Sequence, residues 1–250
     1  MFAQGIERAE PAGRRCRSVL LLAALVLMTH PSSGAGLWGG SLDVTSDYFV
    51  RGISRSDDRA APQLDLHYLD GSGFLADFFA SSSQIDPAAK RDAELSAFLG
   101  YVWSASRDWQ GKLLAGNYSY PWNQAGSQYN YDEVDLEGAF RDRMHVIVSY
   151  SPDMRRYLYN RGFVRIGAES LEADVQRPIA GRLSANGGVG YYELNGPQAS
   201  GYAYWSLGAV YDLAPVSFLV SYIGASRAAN DLFYNAAVGG RWSGTVIWRF

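Results

Sequence analysis

The chain has almost no cysteine: the only one among its 250 residues is Cys16, which lies just before an apolar run near the N-terminus. Once that N-terminal part is removed, the mature chain can form neither a disulfide nor a thiolate metal site. Long apolar runs are equally scarce, because no stretch after residue 28 reaches the roughly 20 residues that a membrane-spanning helix needs. The sequence therefore argues against a disulfide-stapled domain and against an α-helical membrane protein.

Clusters of basic residues are also missing. The full chain has 22 basic and 25 acidic residues, and without residues 1–35 it keeps 18 and 23, a net charge of −5. Nucleic acid is therefore not a predicted partner, since a face that binds it needs a basic patch. No metal site or other cofactor is predicted either. What the chain does have is aromatic residues, 14% of the total, and 27 glycines, which fits a barrel whose apolar residues are diluted one in two.

The N-terminus has the pattern of a secretory signal peptide. Arg14, Arg15 and Arg17 precede an apolar run at residues 19–28, which is too short for a spanning helix. Small residues follow, with Ser33 and Ala35 spaced as a cleavage site requires. We predict that residues 1–35 are a signal peptide and that residues 36–250 form one mature domain.

The last seventeen residues alternate between two faces as far as the terminal Phe250. Side chains on a β-strand change face at every residue, so one face here is apolar and aromatic while the other is mixed and partly charged. The apolar face includes Trp242, Val246, Trp248 and Phe250. A strand of this length crosses a bilayer obliquely. The pattern predicts the closing strand of an outer-membrane barrel, which ends on an aromatic residue.

Similar alternating segments, separated by turn residues, run through the whole mature chain. Twelve segments can be counted, with ten or fourteen as alternatives. Short and long connections alternate, apart from a link at residues 169–180, and residues 151–156 are predicted to be one of the long loops. The predicted fold is therefore all-β: a single antiparallel transmembrane barrel of about twelve strands, with both termini on the periplasmic side.

One segment resembles a known family. Residues 45–54 have the sequence TSDYFVRGIS, and further matches lie at residues 71–74, 118–121 and 129–133. This pattern is similar to the bacterial Gcw_chp family, whose members are described as TorF-type porins. Arg55 and the spacer at residues 57–59 depart from the family pattern. The resemblance implies an outer-membrane location and a channel. A barrel in that membrane is expected to contact outer-membrane lipid and lipopolysaccharide. The resemblance implies no catalytic residues. The barrel-assembly machinery is a further expected partner, through the strand that ends in Phe250.

A barrel of twelve strands is wide enough that side chains need not fill it, so its inward residues decide selectivity. Barrel closure is expected to place Arg241 and Arg249 beside the stripe formed by residues 43–51. We expect a pore for small polar solutes, cationic or zwitterionic ones included. The predicted pore-lining residues are Asp43, Asp47, Arg51, Asp65, His67, Asp77, Glu133, Asp135, Glu137, Arg165, Arg241 and Arg249.

Two alternatives remain open at this stage. Charges that pair across the lumen, Asp47 with Arg51 above all, would plug it and make a non-conducting structural or binding barrel. A lipid hydrolase or acyltransferase would need a histidine beside a nucleophile. His67 lies on the same face as Asp65, and His145 is on the same face as Ser149. Neither forms a recognisable His-X-Ser arrangement, so an enzyme is not predicted.

Overall fold

The computed structural model describes residues 36–85, 92–123, 129–158, 162–195, 200–233 and 235–250. The predicted signal peptide lies outside the described residues. In chain order the strands are β1 (Leu37–Thr45), β2 (Phe49–Val50), β3 (Ile53–Ser54), β4 (Ala61–Leu69), β5 (Phe74–Ser83), β6 (Asp92–Ser104), β7 (Trp109–Ser119), β8 (Tyr131–Phe140), β9 (Met144–Leu158), β10 (Gly162–Ala180), β11 (Leu183–Leu194), β12 (Ser200–Leu213), β13 (Val216–Ala225) and β14 (Arg241–Arg249). A short helix, α1 (Ala228–Leu232), precedes β14.

All strands except β2 and β3 form one closed antiparallel barrel, twelve strands within the described residues. Each barrel strand pairs with its neighbours along the chain, and β14 closes the barrel against β1. At this seam Leu42 is opposite Trp248 and Val44 is opposite Val246. The predicted twelve-stranded antiparallel barrel is confirmed. β2 and β3 form a separate two-stranded sheet, which the sequence did not predict.

Side-chain alternation gives the barrel an apolar outside and a polar inside. On β1, Leu42 and Val44 are exposed, whereas Asp43 between them is buried. Aromatic rings lie at both ends of the outer face, with Trp38 against Tyr68 near one end and Tyr222 against Trp242 near the other. In the part of the chain that the structure describes, no helix is long and apolar enough to cross a membrane. The exposed apolar surface and its aromatic rims are those of a transmembrane barrel of the outer-membrane type.

The two rims differ in their connections. Short turns lie at residues 70–73, 105–108, 141–143, 181–182 and 214–215, on the rim that also carries both ends of the barrel. We call this rim the termini end and the opposite one the loop end. At the termini end Arg141 pairs with Asp108 at 2.9 Å, and this hydrogen-bonded guanidinium lowers the pKa of the Asp108 carboxyl.

Two connections predicted from the sequence are wrong. β9 continues to Leu158, so residues 151–156 belong to a strand, and β10 continues through residues 169–180 to a tight turn at residues 181–182. The inward face of β10 carries Ser170, Glu172 and Asp174. Because this face is polar, residues 169–180 contain no apolar run from which a strand could be recognised. Polar side chains on the inward face are nevertheless normal in a barrel with a polar lumen. With this correction all five short turns lie at one rim, but the connection from β9 to β10 at the other rim, residues 159–161, is equally short.

The closing strand is shorter than predicted. It begins at Arg241, and the residues before it bend into the loop end. Gly239 and Gly240 adopt φ values of 86° and 84°, a backbone region open mainly to glycine. The extended alternation therefore stops at these two residues, although their neighbours continue the same apolar and polar order.

Candidate functional site

Residues 46–60 leave the barrel wall and fold into the lumen. Thr45 and Ala61, which flank this stretch, are direct ladder partners on β1 and β4, so the wall is continuous without it. Inside the stretch, β2 and β3 pair as a small hairpin. Its side chains are covered on all sides: Tyr48 and Phe49 are 0% exposed. We call residues 46–60 the lumen segment.

Apolar contacts hold the lumen segment on two sides. Phe49 belongs to a buried cluster with Val210, Leu219 and Ile223, inward residues of β12 and β13. On the opposite side of the hairpin, Tyr48 and Val50 pack in a cluster with Phe79. Burial of large apolar side chains favours the inserted arrangement by about 1.5–3 kcal/mol for each of them.

The turn of the hairpin presents Arg51 to the acidic wall. Arg51 Nη1 donates to Glu133 Oε2 at 2.9 Å, and Arg51 Nε donates to Glu172 Oε1 at 3.3 Å. The guanidinium lies over the Tyr192 ring, 5.0 Å from its centroid. The Tyr202 hydroxyl donates to the Arg51 carbonyl oxygen at 2.9 Å. A single side chain of the lumen segment is therefore bonded to strands β8, β10 and β11, with β12 holding its backbone.

Glycine is required beside this arginine. Gly52 has φ of 73°, and a Cβ atom there would lie 2.9 Å from the Cβ of Tyr204. Arg51 itself has φ of 51°, a conformation that costs a non-glycine residue energy and persists only where its surroundings hold it. The Arg-Gly pair of the family-like motif thus forms the hairpin turn.

Asp47 stabilises the hairpin from within. It accepts hydrogen bonds from the Ser54 hydroxyl at 2.6 Å and the Ser56 hydroxyl at 2.9 Å. The predicted Asp47–Arg51 ion pair is therefore wrong. The prediction assumed that β1 continues as far as Arg51, where residues four apart share a face, but the strand ends at Thr45 and the chain turns inward.

A second charged cluster lies on the barrel wall, on β7, β8 and β9. Glu137 forms an ion pair with Lys112, and His145 Nδ1 lies 2.7 Å from Glu137 Oε1. Glu133, Asp135 and Glu137 all face the lumen, as the alternation of β8 predicts. The lumen is thus lined by carboxylates of which several already have basic or hydroxyl partners.

The comparison with known proteins decides the family. A model described as "Bacterial protein of unknown function (Gcw_chp)" matches residues 29–248. The chain belongs to this family. No curated protein matches it.

Solved structures share the fold of this Gcw_chp chain. The NanC porin is similar with a TM-score of 0.55 and 11% identity, covering 82% of this chain and 97% of its own. The KdgM porin is similar with a TM-score of 0.53 and 12% identity, covering 85% of this chain and 99% of its own. Identities this low establish the fold alone. Closed barrels of this kind, with an apolar outer face, lie in outer membranes.

The Gcw_chp barrel brings most of the predicted pore-lining residues inside. Asp43, Asp65 and His67 are buried on β1 and β4, and His67 Nδ1 lies 3.5 Å from Asp65 Oδ1. Asp77 is half-buried directly across the ladder from His67. Their role in lining a pore stays a prediction.

Of the four arginines predicted to line the pore, the three other than Arg51 lie on different strands or at opposite rims of the barrel. Arg165 is wrong as an inward residue, since its side chain is 62% exposed, 4.0 Å from Asp153. The adjacent Ile166 packs toward the buried cluster instead, because a bulge between Ile166 and Ala168 shifts the register. Arg241 pairs with Asp58 at 2.7 Å at the loop end, whereas Arg249 donates to Ser217 at the other end.

Several residues that matter most in this barrel were not among the predicted set. Glu172 was missed because residues 169–180, its part of β10, were taken for a connection. Glu94, which accepts from the hydroxyls of Tyr48 and Tyr120 at 2.8 and 2.9 Å, is inward by the same alternation that identified its neighbours. The position of Tyr192 over a guanidinium has no sequence signal, since it depends on the inserted lumen segment.

Proposed function

We propose that this barrel is an outer-membrane channel for small polar solutes, with the termini end facing the periplasm. The observation that supports it is the polar interior: the inward face of nearly every strand carries hydroxyl, amide or charged side chains. A barrel built only as a scaffold has no need of so many buried polar groups, since burying each without water or a partner costs energy. The TorF-type resemblance of residues 45–54 supports the same proposal.

The charges inside favour cationic or zwitterionic solutes. Buried inward carboxylates outnumber the basic groups that face them. Among the described residues, the buried basic side chains are Arg51, His67 and His145. The buried acidic ones include Asp43, Asp65, Glu94, Glu133, Glu137, Glu172 and Asp174. Rings of carboxylates select for cations by attraction. Net negative potential therefore lowers the energy of a small cation in the lumen and raises that of an anion.

Bilayer recording of the purified mature chain tests this. In a KCl gradient we expect conductance and a reversal potential that favours K⁺ over Cl⁻. Changing Glu137→Gln should reduce that preference, because the lumen loses one negative charge. The matched control is Glu169→Gln, which makes the same change at an exposed position of β10. Absence of conductance, or a preference for Cl⁻, contradicts the proposal.

A non-conducting structural or binding barrel is the second candidate. It is favoured by the lumen segment, whose buried hairpin fills part of the interior. This candidate predicts normal heat-modifiable migration on gels without conductance. A hydrolase or acyltransferase has less support, since His145 lies against Glu137 and not against Ser149.

Assembly is proposed to depend on the last residue. Phe250 exchanges two backbone hydrogen bonds with Gly40, both 3.1 Å, and its ring lies tilted against that of Trp248, with 5.6 Å between the ring centroids. We expect Phe250→Ala to lower the amount of folded barrel in cells severalfold, because the variant lacks the terminal aromatic residue through which the assembly machinery would bind the barrel. Heat-modifiable barrel in membrane fractions is the measurement, and Trp248→Phe is the control. Unchanged assembly of Phe250→Ala would contradict this role.

Outside the barrel, we propose that the exposed apolar face contacts outer-membrane lipid and lipopolysaccharide.

A further inference from the structure

A cation-binding cage is built into the barrel wall. Glu133 on β8 and Glu172 on β10 converge on one guanidinium, with the ring of Tyr192 on β11 covering it. All three belong to the wall, whereas the Arg51 that they hold belongs to the lumen segment. The site is therefore formed by one part of the protein and occupied by another.

We propose that this cage is a binding site for solutes that carry a guanidinium or a primary ammonium group, and that Arg51 is a tethered occupant which such solutes displace. The proposal rests on the channel function proposed above for the passage of solutes, and it names their class. The free cation replaces the arginine, and the lumen segment is released from the wall.

The chemistry of the cage selects for a cation that donates hydrogen bonds, and a guanidinium fits it best. Two carboxylates accept charge-assisted hydrogen bonds from separate N–H groups, which a guanidinium offers in a planar fork. The ring of Tyr192 adds a cation–π contact. Both carboxylates are almost fully covered, with side chains 2% and 5% exposed in their pairs with Arg51. A neutral amide leaves this negative charge unbalanced, and an anion is repelled.

Displacement of Arg51 does not break the barrel wall. The lumen segment makes its own two-stranded sheet, and its flanking residues Thr45 and Ala61 stay paired when it moves. Its loop-end bonds run to residues 235–241: Ser54 donates its backbone N–H to Asn235 and Gly52 accepts from Ala237, while Asp57 accepts from the Asn235 side chain and Asp58 pairs with Arg241. These bonds hold the segment at the loop end and not at strands β8 and β10. The arginine is therefore the main charged attachment between the segment and strands β8 and β10.

Buried hydroxyls favour release once the arginine is displaced. Ser206 and Ser221 are at most 5% exposed, and their hydroxyls have no partner among the described residues. Ser221 lies between Leu219 and Ile223, the residues that pack on Phe49. Water that enters with a solute hydrates such groups, and this hydration offsets part of the free energy that the departure of Phe49 costs.

Calorimetry on the full mature chain in detergent tests the site itself, with methylguanidinium as probe and N-methylurea as its neutral counterpart. We expect Arg51→Ala to bind methylguanidinium at least about tenfold more tightly than the wild-type chain does, because the tethered competitor is gone. The double variant Arg51→Ala/Glu172→Gln should bind methylguanidinium at least about tenfold more weakly than Arg51→Ala does, because one of the two carboxylates is gone. N-methylurea should bind to none of them, and Arg59→Ala, which removes an exposed arginine of the same segment, should match wild type.

Bilayer recording separates this proposal from the channel function. In the wild-type chain methylguanidinium should raise the open fraction, and in Arg51→Ala it should cause brief block of a channel that is already open. Conductance without any effect or binding of methylguanidinium overturns the cage and leaves the channel standing. Binding to Arg51→Ala without conductance overturns the channel and supports the cage. Heat-modifiable migration checks that each variant folds. Glu172→Gln alone removes one of the carboxylates that bind Arg51, so the open fraction of this variant without any solute should exceed that of the wild-type chain.

Discussion

Replacing residues 46–60 with a two-residue Asn-Gly turn is expected to raise single-channel conductance severalfold while the barrel still folds. Thr45 and Ala61 are direct ladder partners, and Asn-Gly is the preferred link between such strands. The excision removes Tyr48, Phe49 and Arg51 from the lumen, all of them buried there. A barrel of twelve strands without them has free cross-section, because its own wall side chains do not fill it.

The matched control is the same Asn-Gly replacement at residues 181–182, a tight turn at the termini end that lies outside the lumen. This variant should conduct as the wild-type chain does. Equal conductance for the excised and wild-type barrels would show that the lumen segment does not limit the pathway. Heat-modifiable migration of both variants confirms that the wall has closed.

Leu207→Arg is expected to lower the free energy of unfolding from lipid by about 2–4 kcal/mol. Leu207 is 65% exposed and lies midway along β12, on the outer face. A guanidinium there must leave water for the hydrocarbon region of the bilayer. Its inward neighbour Ser206 cannot relieve this, since adjacent residues face opposite sides. Urea titration of the barrel folded in lipid vesicles measures the change.

Trp38→Arg is the matched control for Leu207→Arg, because it introduces the same charge near the edge of the outer face. Trp38 is also exposed, but it lies near the start of β1, where a charge reaches the interface. Its cost should be about 0–1 kcal/mol. Similar costs at the two positions would contradict a bilayer around this surface, and would point to an aqueous or protein-covered one.

The wall of this barrel is predictable from the sequence because its cause is local. Alternation at Leu42, Asp43 and Val44 reports which side chains face lipid, and the strands of a closed barrel can only pair with their neighbours. Residues 169–180, the second half of β10, were taken for a connection because the inward acids there leave no apolar run. A polar lumen makes strands harder to recognise than a dry core does.

The lumen segment was not predictable because alternation continues through it. Tyr48 and Val50 follow Leu42 and Val44 in the same order, so nothing local shows that the chain leaves the wall at residue 46. The ion-pair partners of Arg51 are still harder to predict, because Glu133 and Glu172 lie 82 and 121 positions away in the sequence. Such partners are set by how the whole barrel curves around the segment, which is information that one strand does not contain.

The seam between the first and last strands has a consequence for the order of assembly. β1 pairs with β4 along all of Leu37–Thr45, but its pairing at the seam starts only at Gly40, which bonds to Phe250, and continues along β14 from Ser41. Next to this short ladder, the Ser243 hydroxyl donates to the Asp47 carbonyl oxygen at 2.9 Å, and the Ser46 N–H donates to Gly244 at 2.8 Å. The start of the lumen segment is thus bonded to β14, the strand that closes the barrel. The interior of this protein therefore takes its final form only once the wall has closed around it.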